Sequence, residues 1–483
     1  MTTVHNRSVK ATTSSYRQQP WAPLKPEQIN QQLWAAQLGL QGAEGFVPVP
    51  VSLTPWQLST EQFAAAQKLA QLLGQLQAKA ATTPDWLLAQ TEQLAKSNTV
   101  PGEIWRQLAA IKQQSGGQLH LRSRNIMLNR HDFLLDQQSK WRWVESNPVA
   151  AGMGPLNAAY LQLLQQHLDA TFASNNATQL QAALLAQAAQ QAALKAQPGT
   201  TEAQPGPPEA QRLTPDRLAN TALMLMVVEA NEDNIFDQQL LCHEVTRLGV
   251  QVQRVTVPEL QQASINQQHQ LIWQQQRVDL IYWRTGYNPS AELDQHFWLF
   301  RAKLEQSTVA QCPTLAGQLT GSKWFQHRLT TLLLTTPELI AARFGLTAAE
   351  LRLLQQAVVP SFALAELTTA QAVQHINQGF WYKTQQEGGG NVARDEAAKA
   401  QLPKQDCADL LMAPIDARVR TEALTSLRQG KVAISSNHMT ELGIFTLGLD
   451  ALDGGYLCRT KAAQSSEGGI HRGGAVLDTV LLS

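Results

Sequence analysis

The chain has 483 residues, a hydrophobic content of 43%, no formal net charge and a sequence pI near 7.2. This length predicts two or three domains, and the composition is typical of a soluble globular protein with sizeable cores. The charge balance argues against nucleic acid as a partner, because proteins that bind it usually carry a basic surface. Four widely spaced cysteines without a CxxC motif argue against structural zinc and favour a reducing cytoplasm.

The N-terminal residues 1–25 are polar, and we expect them to be flexible. They lack the apolar core of a signal peptide, which favours a cytoplasmic location. The longest apolar run, 222–228, is too short to span a bilayer. We therefore expect no membrane association.

The hydrophobic pattern predicts helices from about 28 to 115. One stripe at the spacing of a buried helix face is read as core without a function, and consists of Leu69, Leu72, Leu73 and Leu76. Two strands are predicted next, over 120–128 and 140–147, with a turn near 136–139. Two further helices are expected at about 155–170 and 178–195.

A run rich in proline and glycine at 197–212 predicts a loop or linker. After it, strands alternate with a helix, which predicts a parallel sheet. The strands are expected at 222–228, 250–257 and 278–283, and the helix at 238–248. Ligands of such sheets bind beyond the carboxyl ends of the strands, where this chain has the loops 229–238 and 284–290.

Residues 324–375 are predicted to be helical, and from 376 onward strands alternate with glycine-rich loops. The run KTQQEGGGNV, 383–392, is the most informative stretch of the chain. Its glycines allow backbone N–H groups to approach a polyphosphate, Lys383 is able to neutralise phosphate charge, and Glu387 offers an oxygen to Mg²⁺. Taken alone, three glycines are more often a flexible turn, and the run matches neither a Walker loop nor GxGxxG.

Two pairs of polar residues are spaced two apart on predicted strands: Glu145 with Asn147, and Arg459 with Lys461. Residues at this spacing share a face of a strand, so both oxygens of the first pair are placed to meet one Mg²⁺. Taken alone, the first pair is also typical of a polar strand end, and the second of a solvated strand face.

In order along the chain, several segments resemble the eukaryotic-type glutathione synthetase family. They cover roughly 118–483 and are LNRHDF (128–133), VESN (144–147), NIFDQ (234–238), YWRTGY (282–287), CPTLAGQLTGSK (312–323), KTQQEGGGN (383–391), ELGIF (441–445) and RTKAAQSSEGG (459–469). Residues 1–115 match only in helical character. The resemblance implies an α/β, ATP-grasp fold with an inserted parallel-sheet substrate-binding domain and a glycine-rich lid, use of ATP and Mg²⁺, and usually a homodimer.

With this resemblance we divide the chain into four parts. After the flexible residues 1–25, an N-terminal helical region and the first part of the ATP-grasp core occupy 26–212 and end in the linker. A parallel α/β substrate-binding domain is expected at 218–323, and the lid with the remainder of the core at 324–483.

The resemblance also assigns roles to individual residues, and the metal-binding set is Glu145, Asn147 and Glu387. The nucleotide-binding set is Glu145, Lys323, Lys383, Glu387, Gly388, Gly389, Gly390, Asn391, Met412, Ile415, Glu441, Lys461 and Glu467. The substrate-binding set is Arg130, Val149, Ala150, Ala151, Gly152, Glu232, Asp233, Asn234, Gln238, Arg284, Tyr287, Arg459, Ile470 and His471. The catalytic set is Arg459, Lys461 and Glu467. Arginines suit the carboxylates of a peptide because the guanidinium group binds two oxygens at once.

The chain also departs from the family pattern. Ala150 and Gly152 stand where the family has small hydroxyl residues, and Arg394 stands where it has a tyrosine. His471 and Arg472 occupy a pair of positions that is small in members using glycine, and this pair helps to select the last amino acid.

The implied function is ATP- and Mg²⁺-dependent ligation of glycine to γ-glutamylcysteine through an acylphosphate, giving glutathione, ADP and phosphate. A ligase with another acceptor, such as β-alanine, serine or a larger amine, is the first alternative, because of His471 and Arg472. A non-catalytic nucleotide- or peptide-binding relative is the second, and the retained metal and phosphate positions argue against it. A dinucleotide-binding oxidoreductase is disfavoured, since the βαβ unit lacks GxGxxG.

Overall fold

The structure is a computed structural model that describes residues 25–195, 222–387, 391–465, 468–470 and 473–483. Several predictions lie outside these ranges: the N-terminal segment 1–24, the linker over 197–212, and the site residues Gly388, Gly389, Gly390, Glu467 and His471, together with Arg472.

The α-helices of the described chain are α1 (Pro26–Ala35), α2 (Thr60–Ala81), α3 (Pro84–Gln90), α4 (Val100–Gln114), α5 (Gly154–Gln165), α6 (Ala177–Lys195), α7 (Ile235–Arg247), α8 (Val257–Leu260), α9 (Gln295–Glu305), α10 (Leu315–Leu319), α11 (Lys323–Thr335), α12 (Pro337–Phe344), α13 (Ala348–Ala357), α14 (Thr369–Asn377) and α15 (Asp395–Gln401). Short 3₁₀ turns occupy Glu92–Lys96, Leu364–Glu366 and Leu402–Lys404. Within the described ranges, no helix has both the length and the apolar character needed to cross a membrane.

The strands of the described chain are β1 (Gly39–Gly42), β2 (Gly45–Pro48), β3 (Val51–Ser52), β4 (Trp56–Leu58), β5 (Leu128–Leu135), β6 (Trp141–Asn147), β7 (Leu223–Val228), β8 (Gln251–Thr256), β9 (Ser264–Ile265), β10 (Leu271–Trp273), β11 (Gln276–Arg277), β12 (Leu280–Trp283), β13 (Ala310–Cys312), β14 (Ser361–Ala363), β15 (Trp381–Lys383), β16 (Val392–Ala393), β17 (Leu410–Met412), β18 (Leu424–Arg428), β19 (Lys431–Ser435), β20 (His438–Leu447), β21 (Leu452–Ala462), β22 (Ala475–Asp478) and β23 (Val480–Leu482). Helices and strands alternate over much of the chain, so the predicted α/β class is confirmed.

The largest sheet of the described residues has the strand order β19-β18-β3-β22-β21-β20-β5-β6. Its neighbouring strands are antiparallel except β22 and β3, which are parallel. Helices α2, α5 and α6 pack against its central strands. The predicted leucine stripe of α2 is fully buried there, with no member more than 1% exposed, so its interpretation as core is confirmed.

A second sheet is parallel throughout and has the order β13-β12-β7-β8. Every residue of β7 is buried, as expected for a strand covered on both faces. The predicted alternation of strand and helix is therefore confirmed. It sends the loops after β7 and β12 to the same edge of this sheet, because the carboxyl ends of parallel strands lie together.

A third sheet is antiparallel, with the order β14-β17-β15-β16. It has its own small hydrophobic core, formed by Leu364, Ala372, Ile376, Tyr382, Ala398 and Leu411. Strand β15 ends at Lys383 and leads into the segment before the glycine run. This sheet therefore carries the most informative motif of the sequence.

Several sequence expectations about local structure are wrong. The region expected to be helical over 324–375 contains strand β14 directly after Pro360, which has no N–H for a helix, and the region after 376 contains helix α15 in addition to strands and loops. The strand expected over 120–128 begins at Leu128 instead, because the preceding residues are anchored individually to the neighbouring parallel sheet. For example, the Ile126 N–H donates to the carbonyl of Gln311 in β13 at 2.8 Å, and the Gln311 N–H donates to the Arg124 carbonyl at 2.9 Å. The region expected to be wholly helical contains β1 to β4 between 39 and 58, where glycine and proline interrupt helix formation.

Candidate active site

A cavity of about 800 Å³ is lined by residues from strands of the first and third sheets and from loops that follow strands of the parallel sheet. Most of the described residues that were predicted to bind ligands line it: Arg130, Glu145, Asn147, Val149, Ala150, Gly152, Glu232, Asp233, Asn234, Arg284, Tyr287, Lys383, Glu387, Met412, Ile415, Glu441, Arg459, Lys461 and Ile470. These residues are distant in sequence, so their grouping is a property of the fold. Their individual roles remain predictions.

Four predicted residues do not line the cavity, and three of them support residues that do. Gln238 donates to Glu232 at 2.6 Å, Lys323 donates to Glu387 at 2.9 Å, and Asn391 donates to the Glu387 carbonyl at 2.7 Å. The fourth, Ala151, is buried. These three polar residues therefore lie outside the cavity lining and hold residues that form it.

A β-bulge explains how Glu145 and Asn147 reach the cavity from strand β6. Strict alternation would place them on the same face as Trp141 and Trp143, which are buried in the core. The pairing of β5 with β6 instead shifts by one residue, from Asp132 opposite Glu145 to Phe133 opposite Trp143. The extra residue turns Glu145 and Asn147 to the cavity, and Ser146 inward, where its hydroxyl accepts from the Trp143 indole N–H at 3.0 Å.

The bulged residue, Val144, leaves a backbone carbonyl outside the strand ladder. It accepts hydrogen bonds from Gln326 Nε2 at 3.0 Å and from Lys383 Nζ at 3.4 Å. The bulge thus helps to hold Lys383, the lysine that precedes the glycine run, beside Glu145 at the cavity wall. The pKa of Lys383 is lowered overall, because the effect of burial is larger than the opposing effect of the Glu145 carboxylate.

Asp132, which was not predicted from the sequence, is a carboxylate that is 1% exposed and binds three predicted residues. It accepts two hydrogen bonds from Arg130, at 2.6 and 2.8 Å, and one from Asn147 Nδ2 at 3.1 Å. Arg459 also approaches it, at 3.4 Å. Its position two residues from Arg130 on one strand was the available signal. Because its amide nitrogen is bound, Asn147 presents its carbonyl oxygen as the group available to a ligand.

Glu145 lies in a strongly positive environment. Burial by itself raises the pKa of Glu145. The positive charges of Lys323 and Lys383, together with those of Arg459 and Arg130, outweigh this effect and lower the pKa to about 2. The carboxylate is therefore ionised at neutral pH.

Glu387 is the second carboxylate on this side of the cavity, and it forms an ion pair with Lys323 at 2.9 Å. Lys323 is the first residue of α11, where the Ser322 hydroxyl caps the helix by accepting from the Phe325 N–H. Lys323 also donates to the Gln386 carbonyl at 2.6 Å. The pKa of Glu387 is raised overall. Burial is the largest cause, the positive charge of Lys323 partly offsets it, and the negative charge of Glu145 raises the pKa further.

These donors fit a magnesium ion. Within the described ranges, no three His, Cys, Asp or Glu side chains come together as a metal-binding group. The predicted set instead combines the carboxylates of Glu145 and Glu387 with the amide oxygen of Asn147, and all three line the cavity. Mg²⁺ prefers such oxygen donors, and it usually takes only one or two carboxylates from a protein. A cation between the two carboxylates would also relieve the repulsion that raises the pKa of Glu387.

Another part of the cavity contains Arg284, at the carboxyl end of β12, with 5% of its surface exposed. Its Nη1 lies 3.6 Å from the Asp237 carboxylate, and its Nε has no hydrogen-bond partner in the described chain. Asp237 is fully buried and also accepts from the N–H groups of Met153 and Leu156 at the start of α5. A buried guanidinium with an unused donor is suited to an anionic ligand.

Gly152 allows Arg284 to occupy this position. A Cβ atom at residue 152 would lie 2.5 Å from Nη2 of Arg284 and 2.8 Å from Nδ2 of Asn234. Real Cβ atoms essentially never come so close to another atom. Gly152 therefore makes room for the guanidinium group.

Acidic groups lie beside Arg284 in the loop after β7. Glu232 accepts from Gln238, whose own oxygen accepts from Arg254 at 2.9 Å, so the Glu232 carboxylate is oriented from behind. Glu229 lines the same part of the cavity, and burial and the charge of Glu232 raise its pKa. This end of the cavity thus offers carboxylates for a cationic group next to a guanidinium for an anionic one.

Strands β20 and β21 place Glu441 directly opposite Arg459, and the two side chains form an ion pair. Burial raises the pKa of Glu441, but the charges of Arg459 and Lys461 lower it overall. The described residues 468–470 fold over this pair, with Gly468 close to Lys461. Cations and a carboxylate therefore lie next to one another in this part of the cavity.

The remaining end of the cavity is less polar and lies beside the third sheet. Met412 and Ile415 line it together with Trp381, and the Arg394 guanidinium lies 4.7 Å from the Trp381 ring centroid. The Ala413 N–H is used by the Pro360 carbonyl, and Pro414 has no N–H. This apolar end is suited to a flat base, with the charged centre next to it.

Comparisons with known proteins identify relatives of this chain. A family model described as eukaryotic glutathione synthase, ATP binding domain, matches residues 28–482. A chloroplastic glutathione synthetase from Solanum lycopersicum is 25% identical over 497 aligned residues, which cover 96% of this chain and 82% of the tomato protein. Glutathione synthetases from Mus musculus and Homo sapiens are each 33% identical over 53% of this chain, and each match spans only 56% of the relative's length.

Among solved structures, a glutathione synthetase-like effector from Globodera pallida in its apo form matches with a TM-score of 0.65. The match covers 95% of this chain and 98% of the other, at 14% sequence identity, so it bears on the fold alone. Together with the family match, it identifies the fold as the ATP-grasp type. The chain belongs to the eukaryotic glutathione synthase family.

Proposed function

We propose that this chain is an ATP- and Mg²⁺-dependent ligase that joins γ-glutamylcysteine to glycine, giving glutathione, ADP and phosphate. The observation that carries the proposal is one cavity with two complementary sides. One side offers oxygen donors and lysines for a metal–nucleotide, and the other offers a guanidinium beside carboxylates for a zwitterionic peptide. Family membership supports the same conclusion.

On the peptide side, Glu232 is proposed to bind the ammonium group of the γ-glutamyl residue and Arg284 a carboxylate. The support is their geometry: Glu232 is oriented by Gln238, and Arg284 is buried with an unused Nε donor. Charge-assisted hydrogen bonds of this kind are about twice as strong as neutral ones, and they fix the orientation of the peptide. The cysteinyl carboxylate would then lie toward Arg459 at the centre of the cavity.

On the nucleotide side, Lys383 and Lys323 are proposed to bind phosphate oxygens, and Met412 and Ile415 to contact the base. Glu145, Asn147 and Glu387 are proposed to hold Mg²⁺, which when bound neutralises phosphate charge and helps to orient the γ-phosphate. Lys323 would exchange its present bond to Glu387 for a phosphate oxygen, leaving the Glu387 carboxylate free for the ion.

The proposed chemistry has two steps. An oxygen of the cysteinyl carboxylate attacks the γ-phosphorus, the bond to the ADP oxygen breaks, and an acylphosphate forms. The neutral amine of glycine then attacks the acyl carbon, phosphate leaves with the C–O bonding electrons, and the nitrogen loses a proton. Neither step needs a covalent protein nucleophile, so the chain acts by positioning the reactants and by electrostatic stabilisation.

Arg459 is proposed to stabilise the charge that develops on the transferred phosphoryl group and the carboxylate. It is suited to this because Glu441 and Asp132 hold its guanidinium from behind. A donor whose position is set before reaction spends little energy on reorganisation as charge develops. The segment 468–470 lies over the cavity centre, and its closure would protect the acylphosphate from water.

The remaining expectations are proposed on family membership: a cytoplasmic homodimer, a substrate-binding domain at 218–323 and a lid within 324–483. A different acceptor remains the alternative because His471 and Arg472 replace small residues. Light scattering of the purified chain tests the dimer, for which a mass near 106 kDa is expected from two copies of the 53.1 kDa chain.

The proposed activity is tested by measuring ADP release with ATP and Mg²⁺ in the presence of γ-glutamylcysteine, glycine, both or neither. We expect rapid release only with both substrates, and we expect Glu387→Gln to abolish most of it. Glu396→Gln is the matched control, because Glu396 is an exposed glutamate of the same region that pairs with Lys399 on the surface. Equal release without the peptide, or normal activity of Glu387→Gln, would contradict the proposal.

A further inference from the structure

One hydrogen bond connects the peptide side of the cavity directly with the nucleotide side. The side-chain oxygen of Asn288 accepts from the backbone N–H of Glu387 at 3.1 Å. Asn288 follows Tyr287 in the loop after β12, and Glu387 lies in the segment after β15, which belongs to a different sheet. Both residues line the cavity. This bond is therefore a direct contact between the two loops.

Each of the two loops is otherwise held by its own surroundings. The Gly286 carbonyl accepts from Gln318 Nε2 at 2.8 Å, which fixes the start of the Asn288 loop. The Glu387 carbonyl accepts from Asn391, and its carboxylate from Lys323. The N–H of Glu387 is the remaining backbone group of this residue, and Asn288 binds it.

We propose that Asn288 is a positioning residue that couples peptide binding to nucleotide binding. This inference rests on the proposed function. Peptide held by Arg284 and Tyr287 would fix the loop that carries Asn288, and Asn288 would then hold Glu387 where the metal–nucleotide needs it. By thermodynamic linkage, bound nucleotide must favour the peptide by the same factor.

The expected size of the coupling follows from the chemistry of the bond. Both groups are uncharged, and a neutral hydrogen bond of this kind changes an equilibrium by roughly two- to tenfold. Asn288 touches neither reacting atom in the proposed scheme, so its removal should leave the affinity for each ligand alone within about twofold. The coupling, rather than either affinity, is therefore the quantity to measure.

The test uses calorimetry on the full chain. The affinity for a non-hydrolysable ATP analogue with Mg²⁺ is measured with and without saturating γ-glutamylcysteine, for the wild type, Asn288→Ala and Asn377→Ala. Asn377 is the matched control, an exposed asparagine that ends α14 and does not line the cavity. We expect peptide to tighten nucleotide binding in the wild type and in Asn377→Ala, and the tightening to shrink two- to tenfold in Asn288→Ala, without a change in Tm.

Three results would overturn the inference. The first is a wild type in which peptide does not change nucleotide affinity, and the second is an Asn288→Ala variant with unchanged coupling. The third is a variant whose separate affinities and Tm fall together, because that result indicates a purely structural role. If the wild type ligates the peptide but Asn288→Ala leaves the coupling unchanged, only this inference is contradicted. If the wild type does not bind the peptide, the proposed function is contradicted as well.

Discussion

Replacing Gly152 by alanine should selectively impair use of the peptide. The added Cβ would lie 2.5 Å from Nη2 of Arg284, whereas ordinary contacts of a Cβ begin at 3.4 Å. Arg284 is 95% buried, so it has little room to move away, and its guanidinium must shift by about 1 Å to relieve the contact. The Gly152 backbone is not in the left-handed region, so alanine adds no backbone strain there.

The magnitude follows from the role proposed for Arg284. A misplacement of about 1 Å in a positioning group can cost about a hundredfold in rate. Loss of one charge-assisted hydrogen bond costs about 1.5–3 kcal/mol, or roughly ten- to hundredfold. We therefore expect kcat/KM for γ-glutamylcysteine to fall roughly ten- to hundredfold in Gly152→Ala, with KM for ATP nearly unchanged.

A double-mutant cycle makes the reasoning specific. In an Arg284→Ala background the side chain that clashes is absent, so Gly152→Ala should cost little more than the contact with Asn234. Steady-state kinetics of the wild type, both single variants and the double variant measure this non-additivity. Fully additive effects, or a Gly152→Ala variant with normal peptide kinetics, would refute the proposed contact.

Three further predictions concern other parts of the cavity. Asp237→Ala leaves the buried Arg284 charge without its carboxylate partner. We expect the free energy of unfolding, measured by urea denaturation, to fall by about 3–5 kcal/mol, and a fall below about 1 kcal/mol would contradict this. Lys383→Met should weaken binding of the Mg²⁺–nucleotide at least tenfold while calorimetry shows peptide affinity unchanged, and equal weakening of both would argue against a phosphate role. The double variant His471→Ala/Arg472→Ala should shift preference toward glycine in a competition among acceptors, and an unchanged preference would show that this pair does not set specificity.

The parallel sheet could be predicted from sequence because its signals are local. Strand β7 is a continuous apolar run, and the helix after it ends before Gly249, so strand, helix and strand follow one another within thirty-odd residues. The family segments then indicated which loops belong together. The strand–helix–strand pattern and the family segments can both be read directly from the sequence, without knowledge of the tertiary structure.

The details of the metal-binding strand could not be predicted, because they depend on the partner strand. The sequence predicted that Glu145 and Asn147 share a face, but the same periodicity would have put them beside Trp141 and Trp143 in the core. The register shift against β5 resolves this conflict, and nothing within β6 alone indicates it. Pairing between strands is a tertiary property, so local periodicity does not determine it.

Residues that act through others were also hidden from the sequence. Asp132 was passed over, although it binds two predicted arginines and Asn147. Asn288 likewise lay beside the predicted Tyr287 without a role of its own. Asp132 left one signal, its spacing of two residues from Arg130, but its contacts with Asn147 and Arg459 join it to other strands. The contact of Asn288 with Glu387 likewise joins distant elements, and composition and spacing do not report such contacts.

The central claim is that the chain activates the peptide carboxylate by phosphorylation before the amine attacks. It is tested most directly with γ-glutamylcysteine labelled with ¹⁸O in the cysteinyl carboxylate, followed by mass spectrometry of the phosphate released with ATP, Mg²⁺ and glycine. The account predicts that each phosphate carries one oxygen from the peptide and that glutathione forms in equal amount. Phosphate that carries oxygen from the solvent alone, or no peptide-dependent phosphate, would contradict it.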